Sequence, residues 1–284
     1  MQPDWCCPGE MICTPAPKDW EYFNAWSSRE GWVVPPQELS LYRHELAGSA
    51  LVLHGEHGLP LGFVTVCRHQ NRCAWIGNLI VDPARRGEGC GRRLFEHAVG
   101  ILSERGTAAL WLTASPEGLP LYASCGFREV GRIERWRYRR ESAPAAAAPN
   151  IGSGELYSLV RADAAAWGHV RAELLTLLAR GGQILKSGST VAMLQAGHDL
   201  RVLGPWLSAD LCPRSNRAIL TMAIDALAAD AEIVIDLLGG SPARSLLNAS
   251  GFRQNGETVL MMRGDPGKVR FSEIMALASL GSMG

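Results

Sequence analysis

Between Val81 and Arg92 the chain reads Val-Asp-Pro-Ala-Arg-Arg-Gly-Glu-Gly-Cys-Gly-Arg. Gly87, Gly89 and Gly91 alternate in it, and glycine lets a main chain approach an anion where a Cβ would collide. An apolar run, residues 74–81, precedes this loop, and an amphipathic run, residues 92–104, follows it. A loop from a strand end to a helix start gathers unpaired N–H groups and the positive end of the helix dipole. Diphosphates bind at such places. Spacing separates the possible loop types. A P-loop needs Gly-x-x-x-x-Gly-Lys-Ser/Thr, but Arg92 stands five residues after Gly87 and no Lys-Ser/Thr pair follows. The dinucleotide fingerprint Gly-x-Gly-x-x-Gly fails at the same arginine.

Periodicity and punctuation predict the elements that must hold this loop. Helices are expected near residues 18–29 and 36–47, with Pro36 suited to a first turn. Strands follow at 50–54, 61–68 and 72–81, joined by the hairpin turns Gly55-Glu-His-Gly58 and His69-Gln-Asn71. After the loop and its helix come a strand at 108–114, a short helix at 118–124 and a strand at 128–138. The 284 residues suggest about two domains. Residues 142–154, a run of prolines, alanines and glycines without a packable face, read as a linker between residues 1–141 and 155–284.

Composition narrows the function classes. The formal net charge is zero, so no global field recruits nucleic acid or an anionic membrane. No run approaches the roughly 20 apolar residues of a membrane span. The start, Met1-Gln2-Pro3-Asp4-Trp5, lacks a signal-peptide pattern, so a cytoplasmic protein is expected. The eight cysteines contain no Cys-x-x-Cys, and thiols rather than a metal site are expected even at Cys6, Cys7 and Cys13. Cys90, amid backbone N–H groups, is open to a lowered pKa, but a small filler residue is the favoured reading. The alternating charges of residues 132–140 read as the solvated face of an edge strand.

The pattern Val81-x-Pro83-x-x-Arg86-Gly87-x-Gly89-x-Gly91 resembles the acetyl-CoA loop of the GNAT N-acetyltransferase superfamily at every marked position. The order of predicted elements in the first half is similar to that fold as well. This resemblance implies an α/β (α+β) chain with a mixed, mostly antiparallel sheet flanked by helices. It implies acetyl-CoA as co-substrate, no metal, and acetyl transfer to a primary amine, taken here as that of a small molecule, by direct attack. A second copy of the chain, in a homodimer, is the other partner compatible with it.

The resemblance also implies site residues. Main-chain groups of Arg86, Gly87, Glu88, Gly89, Cys90, Gly91 and Arg92 would hold the diphosphate. Leu79, Ile80 and Val81 would pair with the pantetheine arm along a splayed strand, with Gly77 and Asn78 as bulge residues. Arg85 and Arg93 could add charge or simply be solvated. Tyr122 is the expected general acid, since a phenol suits a thiolate leaving group. The base is not identified, because residues 73–81 hold no carboxylate; a water chain ordered by Asn78, His69 or Glu30 are the alternatives. Trp20, Tyr22, Trp26, Trp32, Trp75 and Trp136 fall on the segments expected around the acceptor, and Trp26, Trp32 and Trp75 are chosen as substrate contacts. Two other readings stand beside the transferase: a non-catalytic acyl-CoA-binding protein, and an enzyme acting on peptides through an open groove instead of a closed pocket.

Residues 243–252 repeat the pattern of residues 119–127, each a short helix ended by Gly-Phe, with Leu247 where the first copy has Tyr122. Residues 204–216 stand at the loop position, but the alternate glycines are gone, two prolines remove donors and Asp210 would repel phosphate. A second, degenerate GNAT-like domain without a CoA loop is therefore expected, giving two tandem GNAT folds. Asp163-x3-Trp-Gly-x2-Arg171, Leu203-Gly-Pro205 and the closing residues 276–281 resemble the tandem arrangement of YitH-like acetyltransferases.

Overall fold

The computed structural model describes residues 10–70, 72–141 and 153–284. Most of the linker and Cys6 and Cys7 lie outside these residues. In chain order the first half contains β1 (Met11–Cys13), α1 (Asp19–Arg29), α2 (Pro36–Arg43), β2 (Ala50–His54), β3 (Pro60–His69), β4 (Cys73–Val81), α3 (Cys90–Glu104), β5 (Ala109–Ala114), α4 (Leu119–Ser124) and β6 (Arg128–Arg139). The second half contains α5 (Ser153–Trp167), α6 (Ala172–Leu178), β7 (Gln183–Ser187), β8 (Thr190–Leu194), β9 (Leu200–Ser208), α7 (Pro213–Asp225), β10 (Glu232–Leu238), α8 (Ala243–Ala249), β11 (Arg253–Gly264) and β12 (Ile274–Ala276). Helices flank a large, mostly antiparallel sheet, the α/β class expected from sequence.

All strands join one sheet in the order β1-β2-β3-β4-β5-β11-β6-β10-β12-β9-β8-β7. The two halves exchange strands. β11, from the second half, lies between β5 and β6, while β6, from the first, lies between β11 and β10. Each follows a Gly-Phe pair, and they run antiparallel with Arg128 opposite Met262 and Arg137 opposite Arg253. A pseudo-two-fold axis thus passes between them. The cores follow suit: α1, α2, α5 and α6 cover one shared apolar layer, including Trp20, Phe23, Trp111, Trp167 and Leu175. α3 and α4 cover another with Leu94, Phe95 and Leu112, and Val259 and Met261 of β11 belong to it.

The exchange corrects the reading of residues 132–140 as a solvated edge. β6 is a central strand, and its arginines face carboxylates on its neighbours: Arg132 bonds Glu257 at 2.6 Å, Arg135 bonds Asp236 at 2.7 Å and Arg137 bonds Glu232 at 2.6 Å. The alternation of charge therefore matches carboxylates on partner strands, with Arg135 largely buried and Arg132 still open to solvent.

In the second half, β9 runs on through the segment read as a degenerate loop, to Ser208. Only residues 209–212 connect it to α7, and Asp210 accepts a hydrogen bond from the Cys212 N–H at 3.1 Å. β9 and β10 pair in parallel from Leu200–Val202 to Glu232–Val234 and then separate. β12 enters the gap, pairing Ala276 with Leu237 on one side and with Trp206 on the other. A Cβ at Gly204 would sit 1.9 Å from the Leu277 carbonyl oxygen, so glycine is required there. Asp163 and Arg171 form a buried bidentate pair, 2.9 and 2.6 Å, and the Arg171 guanidinium lies over Trp167. That pair accounts for the spacing of the Asp163–Arg171 pattern.

Candidate functional site

β4 ends at Val81, and the next residue, Asp82, accepts through its side chain from the Ala84 N–H at 3.0 Å and starts a single 3-10 turn, Pro83–Arg85. Gly87 (φ 85°) and Gly89 (φ 80°) then adopt the left-handed region that glycine tolerates. α3 starts at Cys90, directly behind them. No acceptor among the described residues takes the N–H groups of residues 86–89, and the first N–H groups of α3 are free by construction. At Gly91 a Cβ would lie 3.3 Å from the Val81 side chain, which lets helix and strand approach closely. Together these form a cradle of main-chain donors at a helix N-terminus, suited to a diphosphate.

The arginines around the cradle are already paired. Arg85 meets Glu88 at 2.9 Å, Arg86 meets Glu30 at 2.6 Å, Arg92 meets Glu96 at 3.1 Å and Arg93 meets Glu10 at 2.9 Å. Charge attraction to phosphate is correspondingly muted, and the main chain carries the site. The Cys90 side chain is buried and its thiol is pushed up by that burial, against the lowering by Arg93. It is a filler, not a reactive thiolate.

β4 and β5 pair in parallel only at Cys73–Trp75 with Ala109–Trp111 and then splay apart. On its other side β4 slips against β3: Gly77 faces Thr65 and Ile80 faces Phe63, so β4 carries one extra residue. The bulge falls at Asn78, in the left-handed region at φ 51°, a conformation asparagine accepts more readily than most residues. Leu79, Ile80 and Val81 run past it toward the glycine loop without a partner on the β5 side.

A cavity of about 210 Å³ opens beside the splay. Tyr122 of α4 reaches it, its ring packed 4.8 Å from Phe95 and so close to Gly118 that a Cβ there would sit 2.7 Å from the ring. Burial pushes its phenol up to about 12. Across the cavity stands Glu38 of α2, almost fully buried. Ser282 donates to its carboxylate, the Asn78 side chain hydrogen-bonds it, and burial raises its pKa beyond what these partners lower it. Arg135 lies close enough to stabilise its charge, and Asp236 to oppose it.

The segment after β12 builds the remaining wall. Arg135 donates to the Leu280 carbonyl at 2.9 Å, Trp75 to that of Gly281 at 3.0 Å and Tyr42 to that of Ser282 at 3.0 Å. His69 bonds the Met283 carbonyl at 3.3 Å. Gly77 is required under this segment, since a Cβ would sit 2.5 Å from the Ser282 Cα. First-half side chains thus clamp the tail of the second half over the bulge.

Asn78, Leu79, Tyr122 and Trp32 line the cavity. Trp26 and Trp75 do not. Trp26 packs edge-on against Phe63 in the shared core, and Trp75 stacks on Trp111 with its N–H given to the tail. Aromatic periodicity there marked core and not pocket. Trp20 belongs to the same core and Trp136 to that of the second half. His69 and Glu30, the alternatives for a base, are held by the Met283 carbonyl and by Arg86. Glu38, Arg135, Thr258 and Leu280 line the cavity unannounced by any motif. One sign existed for Glu38: it shares a helix face with Leu41 and Tyr42, both buried.

Residues 17–127 match the family model described as acetyltransferase (GNAT) family. The chain carries a GNAT acetyltransferase domain over these residues. The chain is similar over 60 residues to the ribosomal protein bS18-alanine N-acetyltransferase of Escherichia coli, 41% identical, and spans only 40% of that protein's length. It is 24% identical over 280 residues to a holothin acyltransferase of Pseudoalteromonas, covering 93% of this chain and 91% of that one. It is 29% identical over 143 residues to the N-acetyltransferase YitH of Bacillus subtilis, about half of each chain. In fold it resembles a proposed acetyltransferase from Pyrococcus horikoshii, with TM-score 0.77, 20% identity and 99% of both chains covered. Among the described residues no cluster of metal-ligating groups occurs, and no helix is long and apolar enough to cross a membrane.

Proposed function

We propose that this chain transfers an acetyl group from acetyl-CoA to a primary amine of a small molecule. Residues 1–141 would carry the site, and residues 155–284, joined through 142–154, would be a degenerate GNAT-like copy that completes it. The observation that carries the reading is the convergence on one cavity of a buried carboxylate, a protonated phenol and a splayed bulged strand next to the glycine cradle. Bound acetyl-CoA supplies an activated thioester. Main-chain donors of residues 86–92 hold its diphosphate, and the open edge of Leu79–Val81 offers strand-like hydrogen bonds to its arm. Glu38 takes the proton of the acceptor ammonium, its raised pKa bringing it nearer to that task. Tyr122, neutral at any physiological pH, donates its Oη proton to the departing thiolate as the C–S bond breaks, and the second proton shed by the nitrogen on becoming the amide restores the phenol.

Glu38 supplies in the cavity the carboxylate that residues 73–81 lack, which favours an enzyme over a non-catalytic binder. A cavity walled by the tail favours a small acceptor over a peptide. The likeness over nearly the whole chain to a holothin acyltransferase supports the same choice. In the second half β12 fills the corresponding splay, which supports a single cofactor site. A thiol-release screen of diverse amines with acetyl-CoA tests the reading. Release with an amine, lost in Tyr122→Phe, is expected; tight acetyl-CoA binding with no release from any amine refutes it.

A further inference from the structure

The charged groups lining the acceptor cavity are Glu38 and Arg135, and Arg135 is already engaged. Its Nε and Nη2 donate to both oxygens of the buried Asp236 at 2.7 and 2.8 Å, and Nη2 also holds the Leu280 carbonyl. One guanidinium thus stands between two carboxylates. Asp236 balances it, and Glu38 remains the uncompensated charge once ionised. Nη1 has no partner among the described residues and can donate to a neutral oxygen. Trp32, Val33, Val34 and Leu280 supply apolar walls.

From this arrangement, and resting on the transferase reading above, we infer that the acceptor is a small primary amine on an apolar body that bears no anionic group. Its ammonium faces Glu38, and a hydroxyl or amide oxygen nearby is taken by Nη1 of Arg135. With Arg135 held by Asp236 and the acceptor ammonium set against Glu38 the charges of the cavity balance, so a carboxylate on the acceptor would add an anion that no cation there offsets, and an unbalanced charge in a desolvated site is strongly disfavoured. The cavity thereby excludes free amino acids while accepting the amines, amino alcohols and amino amides of the same skeleton.

The test uses the full chain with acetyl-CoA and four acceptors sharing one skeleton: phenylethylamine, phenylalaninol, phenylalaninamide and phenylalanine. Thiol release for the first three is expected to exceed that for phenylalanine by at least about tenfold in kcat/KM. Phenylalanine serving as well as phenylalaninol overturns the inference. Asp236→Asn removes one anion and loosens Arg135, so the preference should narrow several-fold; an unchanged preference counts against it. The same four compounds, read as thermal shifts of the wild-type chain with CoA, need neither turnover nor the variant. Stabilisation by phenylalaninol and not by phenylalanine supports the inference, and any other pattern overturns it. Absence of thiol release from every amine, with that selective stabilisation intact, refutes the transferase reading alone.

Discussion

Gly77→Ala places a single methyl group where the two halves meet. The new Cβ would lie 2.5 Å from the Ser282 Cα, 2.9 Å from its Cβ and 3.1 Å from the Gly281 carbonyl oxygen. Ordinary contacts begin near 3.4 Å, so the tail must recede by about 1 Å, because β4 is fixed between β3 and β5. Overpacking of this kind costs about 1–3 kcal/mol, or a Tm lower by roughly 2–5 °C for a chain of this size. The tail carries Ser282, which holds Glu38, and Leu280, which lines the cavity. A displacement of about 1 Å at a reacting group can lower the rate by ~10²-fold. The glycine cradle lies beyond the bulge and is untouched. Calorimetry should therefore give an unchanged Kd for CoA, while thiol release falls about 100-fold and the melting point drops. Unaltered kcat with an unaltered Tm would refute the claim that the tail is clamped against β4. Loss of CoA affinity would refute the separation of cradle and wall.

Glu38→Gln should lower kcat by about 10²–10⁴-fold. Because burial raises the Glu38 pKa, the wild-type kcat/KM should fall with acidification above the ordinary carboxylate range near ~4.3, and the variant should lose that limb; a pH profile of each checks this. Tyr122→Phe should lower kcat by at least about 10²-fold with the Kd for CoA unchanged, read by thiol release and calorimetry. Gly89→Ala forces a side chain into a left-handed residue at the head of α3, and should weaken CoA binding more than it lowers kcat at saturation. Asp163→Asn leaves Arg171 buried without a counter-charge and should cost about 3–5 kcal/mol in denaturant unfolding, with the glycine loop unaffected.

The cradle side of the candidate site was legible because it is local. Three alternate glycines, a preceding apolar strand and a following amphipathic helix are contiguous in sequence, and the bulge at Gly77 and Asn78 sits one strand length away. The acceptor side was not legible, since it is assembled from four remote segments. Glu38 comes from α2, Arg135 from β6, Thr258 from β11 and Leu280 from the tail, and no spacing relates them. The strand exchange hid for another reason. Each last strand carries the right alternation for a sheet, and alternation does not say whose sheet it joins. For the same reason Trp26 and Trp75 resembled pocket residues, although their periodicity reported burial.

The exchange of β6 and β11 separates what can vary. The residues of the cradle all belong to one contiguous stretch of the first half, whereas Thr258 and Leu280, reached only through the second half, shape what lies opposite. On the proposed reading, a change at either of these positions retunes the choice of amine while leaving the grip on the acyl donor as it was. A second half without a cofactor loop keeps a use, on that same reading, as the adjustable jaw of a vice whose fixed jaw holds the common reagent.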